Sequence, residues 1–196
     1  VSPEAVAAWR QTGMAHDAAP VPQRPQERQA WMRFKSQTLT RFTLDLRQAV
    51  QAIRGPQVKT ARNLFGLPIL EPQSEAWFAQ NLDDFLAAYD WTVPMAMPLM
   101  ESVPIDASQA WLTRLVQAVA RHPGALKKTI FELQARDWNR RQQNAIPDQQ
   151  LADWMRLLRL NGVKNYGYYP DDFINNQPDI SRIRPQFSSW WYPDHD

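Results

Sequence analysis

The stretch "DWTVPMAMPLME", residues 90–101, decides how the rest of the chain is read. Trp91-Thr92-Val93 is strand-like, an aromatic followed by β-branched residues. Two prolines then bracket Met95-Ala96-Met97, and the run closes on Glu101. Proline removes a ladder donor and sits at strand edges or ends. The prolines are therefore expected to end a strand, with Glu101 opening the loop at its mouth.

On both sides of this run the hydrophobic period changes to that of a helix. Before it, Ser74 reads as an N-cap, and Trp77, Phe78, Leu82, Phe85, Leu86 and Tyr89 form an apolar stripe. After it, Ser108 starts a helix with Trp111, Leu112, Leu115, Val116 and Val119 on one face, ended by His122-Pro123-Gly124. "KKTIFELQA", residues 127–135, is the next strand. Pro147 suits the first turn of another helix, whose buried face is Leu151, Trp154, Met155 and Leu158 and whose end is Asn161-Gly162. "VKNYGYYP", residues 163–170, is the last strand. Upstream, a helix from Gln29 carries Trp31, Phe34, Thr38, Phe42, Leu46, Val50 and Ile53 on one face, and Gly55-Pro56 stops it. A short extended run, Val58 to Phe65, follows.

The order is thus one helix, three βα units and a final strand. Strands start near residues 58, 91, 128 and 163, at spacings of 33, 37 and 35. Such regular alternation predicts a parallel sheet with right-handed crossovers. A full (β/α)8 barrel takes about 250 residues, or about 31 per unit. The fold expected is α/β, the C-terminal half of a (β/α)8 barrel of the TIM type. Its parallel strands lie near 58–65, 91–97, 128–134 and 163–169. A doubly wound open sheet is the alternative, although no glycine-rich phosphate turn follows any strand. Residues 1–28 read as a loop or loosely packed lead-in, and 29–196 as the barrel portion.

Composition narrows the function. The chain has 196 residues, 44% hydrophobic and 21% charged, enough for one domain with a real core. No run is long and apolar enough to span a membrane. The chain starts at Val1 without a visible signal peptide, as expected after processing or for a piece of a longer chain. It has no cysteine, and His16, His122 and His195 lie far apart without metal-ligand spacing, so no metal or other cofactor is expected in this chain. Net charge is only +2, and the densest basic cluster, Arg136 to Arg141, is interrupted, which argues against nucleic acid. Nine tryptophans are many for this length, and tryptophan-rich clefts are where sugar rings stack.

In βα architectures the chemistry sits where strands end and loops begin. The four strand ends here gather Trp77, Glu101, Glu132, Trp138, Tyr168 and the Asp171-Asp172 pair. Aromatic faces stack on pyranose rings, and carboxylates bind hydroxyls or amines. That lining suits a carbohydrate, especially a cationic amino sugar. Plainer roles stand beside these. Trp31, Trp154 and Trp111 fit helix stripes and belong in the core, while Trp77 fits both stripe and mouth. Trp138 fits no stripe. Glu132 lies inside an apolar strand, where its charge needs a partner or a ligand, with Arg62 or Lys164 as the plain ion-pair candidates. Met95 and Met97 read as packing, and Asp83-Asp84 as a solvated face.

Three longer strings carry a resemblance. "KTARNLFGLPILEPQSEAWFAQNLDDFLAAYDWTVPMAMPLME", "LNGVKNYGYYPDDF" and "IRPQFSSWWYP" resemble the C-terminal domain of the PgaB-type poly-β-1,6-N-acetyl-D-glucosamine N-deacetylases, from about Gln29 to the end. The resemblance implies a periplasmic, two-domain protein of the biofilm exopolysaccharide. Its metal-dependent N-terminal domain removes acetyl groups. Its C-terminal barrel binds the partially de-N-acetylated polymer and cuts it beside glucosamine, before export through an outer-membrane porin. The family's deacetylase metal ligands have no counterpart here, and its paired-aspartate "HDDA" motif is expected upstream. The catalytic residues are therefore not assigned in this chain. The resemblance implies Trp77 and Trp138 as stacking platforms. Glu101, Glu132 and Tyr168 rest on position alone. Three functions follow: part of a glycosidase, a polymer-binding module, or a structural half-barrel that needs its other half.

Overall fold

The computed structural model describes residues 24–139 and 144–187, together with Glu4 and Ala7. Helix α1 runs Pro25–Arg54, with proline in its first turn, where no intrahelical donor is needed. Residues 25–28, read from sequence as lead-in, are already helical. Gly55 ends the helix with φ 94°, a conformation open to glycine. Next come β1 (Ala61–Phe65), α2 (Gly66–Leu70), α3 (Glu75–Phe78) and α4 (Leu82–Ala88). β2 (Trp91–Ala96) leads to α5 (Ile105–Ala120) and β3 (Phe131–Gln134). A small antiparallel pair, β4 (Arg136–Asp137) and β5 (Asn144–Ala145), precedes α6 (Asp148–Leu160). β6 (Tyr166–Tyr169) and α7 (Ile180–Ile183) follow.

Four strands form one parallel sheet in the order β1-β2-β3-β6. All four expected strands are present, and their order in space is their order in sequence. β1, β3 and β6 each begin three residues later than the strand starts read from sequence, 58, 128 and 163.

Pro94 does not end its strand. It lies inside β2, a central strand, paired with Leu64 of β1. The cost appears on the other side. The β2–β3 ladder makes a bridge at Thr92 and Thr129, then resumes at Met95 and Glu132 in the same register. The gap falls where proline has no N–H to donate. Only Pro98 stands beyond the strand.

One face of the sheet carries Leu64, Ala96, Phe131 and Leu133, each fully buried, and helices cover it. The stripes of α5 (Trp111, Leu112, Leu115, Val116, Val119) and α6 (Leu151, Trp154, Met155, Leu158) are buried as their periodicity predicts. The indole N–H of Trp154 donates to Ser108 Oγ at 2.9 Å and pins the two helices together.

Several helical readings change. α5 begins at Ile105, three residues ahead of Ser108, and Pro147 is the N-cap of α6 and not part of its first turn. The helix expected from Ser74 to Tyr89 is broken. Ala79 adopts a left-handed φ of 51°, α3 ends, and Asn81 rather than Ser74 supplies a capping side chain, accepting from Asp84 N–H at 3.0 Å. On α1, Trp31 is buried, but Phe42, Leu46, Val50 and Ile53 of the same stripe are exposed.

Candidate functional site

Side chains alternate across a strand, and register carries that alternation from strand to strand. Met95 is paired with Glu132, and Glu132 with Gly167. These residues therefore share the sheet face opposite the helices. Asn63 lies on the same face of β1, and Tyr169, paired with Gln134, lies on it in β6. Toward the C-terminal ends of the strands, Asn63, Met95, Met97, Met100, Glu132, Trp138 and Tyr169 line an open cavity of about 330 Å³. That volume lies in the range of small-ligand sites.

Trp138 and Tyr169 form the aromatic wall, with ring centroids 6.1 Å apart and planes 24° from parallel. A buried side chain holds the adjoining loops. The side-chain oxygen of Gln134 accepts from the Leu99 N–H at 2.8 Å and the Met100 N–H at 3.3 Å, and its amide donates to the Arg136 carbonyl at 2.9 Å. The Asn139 amide also donates to the Leu99 carbonyl. The loop after β2 and the segment bearing Trp138 are thereby joined.

Glu132 accepts from Asn63 Nδ2 at 2.8 Å. Among the described residues no cation pairs with it. Arg62 instead lies over the rings of Phe85 and Tyr89, and its guanidinium donates to the Tyr89 hydroxyl at 3.1 Å. The ion pair offered for Glu132 by the sequence is replaced by an amide. Burial pushes the Glu132 carboxyl above its usual value, and the Asn63 hydrogen bond pulls it partly back.

Glu132 and Trp138 are thus brought together. The other three candidates do not line this cavity. Glu101 turns toward α2, where its carboxylate accepts the Leu67 N–H at 3.0 Å and satisfies a donor of the helix's first turn. Burial raises its carboxyl, against the pull of the Leu67 and Gly66 N–H groups. Tyr168 is paired with Leu133 and therefore faces the helix side of the sheet, packed on the core and against Phe187. Its hydroxyl donates to Asp171 at 3.0 Å, and burial together with that carboxylate pushes its pKa up to about 12. Trp77, on α3, is 78% exposed and in neither the core nor the cavity. Trp190, Trp191 and Tyr192 lie outside the described residues.

Asn63, Met100 and Tyr169 also line the cavity and were not singled out from the sequence, and Met95 and Met97, read there as packing, line it as well. Alternation from Glu132 across the register would have found Tyr169, but "YGYY" has tyrosines on both faces. Among the described residues, no group of three or more His, Asp or Glu side chains is placed to hold a metal, and no helix is long and apolar enough to cross a membrane.

Parallel strands whose C-terminal ends carry a stacked aromatic pair beside a carboxylate place the cavity where β/α proteins carry their active sites. Comparison with known proteins agrees. The chain belongs to the family described as hypothetical glycosyl hydrolase family 13, GHL13, whose model matches residues 1–169. It is 53% identical over all 196 residues to the poly-β-1,6-N-acetyl-D-glucosamine N-deacetylases of Escherichia coli K12 and O157:H7, and it spans 29% of their length. It superposes on the solved PgaB (BpsB) glycoside hydrolase domain of Bordetella bronchiseptica with a TM-score of 0.87 and 43% identity. That match covers 95% of this chain and 52% of that one. The half-barrel reading of the four-stranded sheet stands.

Proposed function

We propose that this chain forms one wall of a groove that binds partially de-N-acetylated poly-β-1,6-N-acetyl-D-glucosamine, within a glycoside hydrolase that cuts the polymer during biofilm-matrix export. The observation that carries this reading is the Trp138–Tyr169 pair beside Glu132 at the strand ends. An aromatic wall offers stacking surface to the apolar faces of pyranose rings. The names of the E. coli relatives and of the Bordetella domain support the choice of polymer and of reaction.

Hydrolysis by a carboxyl pair needs the two groups about 5–5.5 Å apart for retention or about 6.5–9.5 Å for inversion. Among the described residues one carboxylate, Glu132, lines the cavity. The acid and its partner are then supplied by polypeptide outside these 196 residues, consistent with a solved domain about twice as long. In this reading the partners are the polymer, an N-terminal metal-dependent deacetylase domain, the first half of the barrel and an outer-membrane porin, all in the periplasm. The single carboxylate also favours a second reading, a non-catalytic module that guides the polymer to the porin.

The test is a tryptophan-fluorescence titration with partially de-N-acetylated β-1,6-glucosamine oligomers, followed by product analysis. Saturable binding that Trp138→Ala weakens supports the groove. Shortened oligomers select the hydrolase, and binding without shortening selects the guide. No binding by folded protein rejects both.

A further inference from the structure

Among the described residues the lining is apolar or neutral except at one point. β1 contributes Asn63, and β2 with its following loop contributes Met95, Met97 and Met100. The loop after β3 contributes Trp138, and β6 contributes Tyr169. Among the described residues of the lining, Glu132 is the one carboxylate and none is a lysine, arginine or histidine. Its surroundings are asymmetric. On the β1 side Asn63 occupies Oε2 at 2.8 Å. On the β6 side its register partner is Gly167, where an added Cβ would meet nothing within 4 Å. Open space therefore adjoins the carboxylate on one flank and a bracing amide holds it on the other.

We infer that Glu132, braced by Asn63, is the specificity-determining residue that recognises the 2-amino group of a glucosamine unit, with the ammonium seated over Gly167. This rests on the groove reading above. A half-buried carboxylate without a cationic partner is an unfavourable state that a bound ammonium relieves. An acetamide brings no charge and a bulkier substituent, so it gains nothing comparable at the same place. The raised carboxyl is what burial without a cation produces, and a seated ammonium acts in the opposite direction. Among the described residues Tyr169 is the other titratable group of the lining.

The test uses the full-length protein and two β-1,6 oligomers of equal length, one partially de-N-acetylated and one fully acetylated. The expected result is an affinity preference of about tenfold or more for the amine-bearing ligand, equivalent to about 1.4 kcal/mol. Glu132→Gln should abolish that preference by weakening binding of the amine-bearing oligomer. A variant that keeps the preference overturns the inference while leaving the groove intact. Failure of the unaltered protein to bind either ligand overturns the groove reading and, with it, this one. Titration of the unaltered protein against pH gives a check that needs no substitution. The preference should fall as acidification protonates Glu132, and a preference constant down to pH values where carboxylates are protonated would count against it.

Discussion

The rings of Trp138 and Tyr169 lie 6.1 Å apart and within 24° of parallel, although 31 residues separate them in sequence. One comes from the segment after β3 and the other from the end of β6. If the pair acts as a single stacking surface, losing either ring should cost most of what losing both costs. Trp138→Ala and Tyr169→Ala are each expected to weaken oligomer binding about tenfold, about 1.4 kcal/mol. The double variant should fall short of the sum. Isothermal titration of the three proteins checks this, and full additivity would show two independent contacts.

Trp154 predicts the opposite pattern. It is fully buried, and its N–H is satisfied by Ser108. Trp154→Ala should cost about 3–5 kcal/mol through the void it leaves. The Ser108 hydroxyl also loses its donor. A melting curve should show a large drop, whereas Trp138→Ala melts near the unaltered protein.

Gly66 fails for lack of room, not for backbone strain. A Cβ there would lie 2.8 Å from the Trp111 ring and 3.3 Å from Glu101 Oε1. Gly66→Ala should therefore destabilise by about 1–3 kcal/mol, the cost of overpacking. Denaturant midpoints test it, and a neutral result would show that the Trp111 ring can yield.

Asp90 accepts the Thr60 N–H at 2.8 Å and the Thr60 hydroxyl at 3.0 Å, just ahead of β1. Led by the backbone hydrogen bond, these contacts hold its pKa at about 2, below the ordinary 3.8. The folded state then binds fewer protons than the unfolded state between those values. Its contribution to stability is complete above pH 3.8 and disappears as pH falls toward about 2. Asp90→Asn should flatten that part of a stability-against-pH curve, and an unchanged curve would refute the assignment.

Glu101 has the reverse sign. Its folded-state pKa lies above the ordinary 4.5, so the folded state binds more protons in that window. Stability should fall as pH rises through 4.5 and up through the raised value. Glu75 and Glu132 are raised as well and contribute in the same direction. Glu101→Gln should reduce the slope without abolishing it. Urea midpoints between acid and neutral pH measure the difference.

The parallel α/β order and the stripes of α5 and α6 were legible because apolar residues at helical and strand periods report the core directly. Pro94 misled because a missing N–H constrains one edge of a strand, and only the β2–β3 ladder shows which edge was interrupted. Trp77 misled because the stripe assumed a continuous helix, which the left-handed Ala79 breaks. Glu132 was visible as a charge in an apolar strand, but its partner was not, since Asn63 lies 69 residues away. Tyr168 and Tyr169 are adjacent tyrosines that only register assigns to opposite faces. Glu101 stands at a strand mouth as predicted, yet the N-terminus of α2 reaches its carboxylate first.

The cavity's three methionines give it a chemical vulnerability. Met95 and Met100 are partly exposed, whereas Met97 is buried. Oxidation to the sulfoxide turns a deformable apolar side chain into a polar, chiral one, and dedicated reductases reverse it. Peroxide would therefore reach Met95 and Met100 before Met97. Oxidation of those two sulfurs would make the cavity wall more polar and leave the helix-covered core untouched.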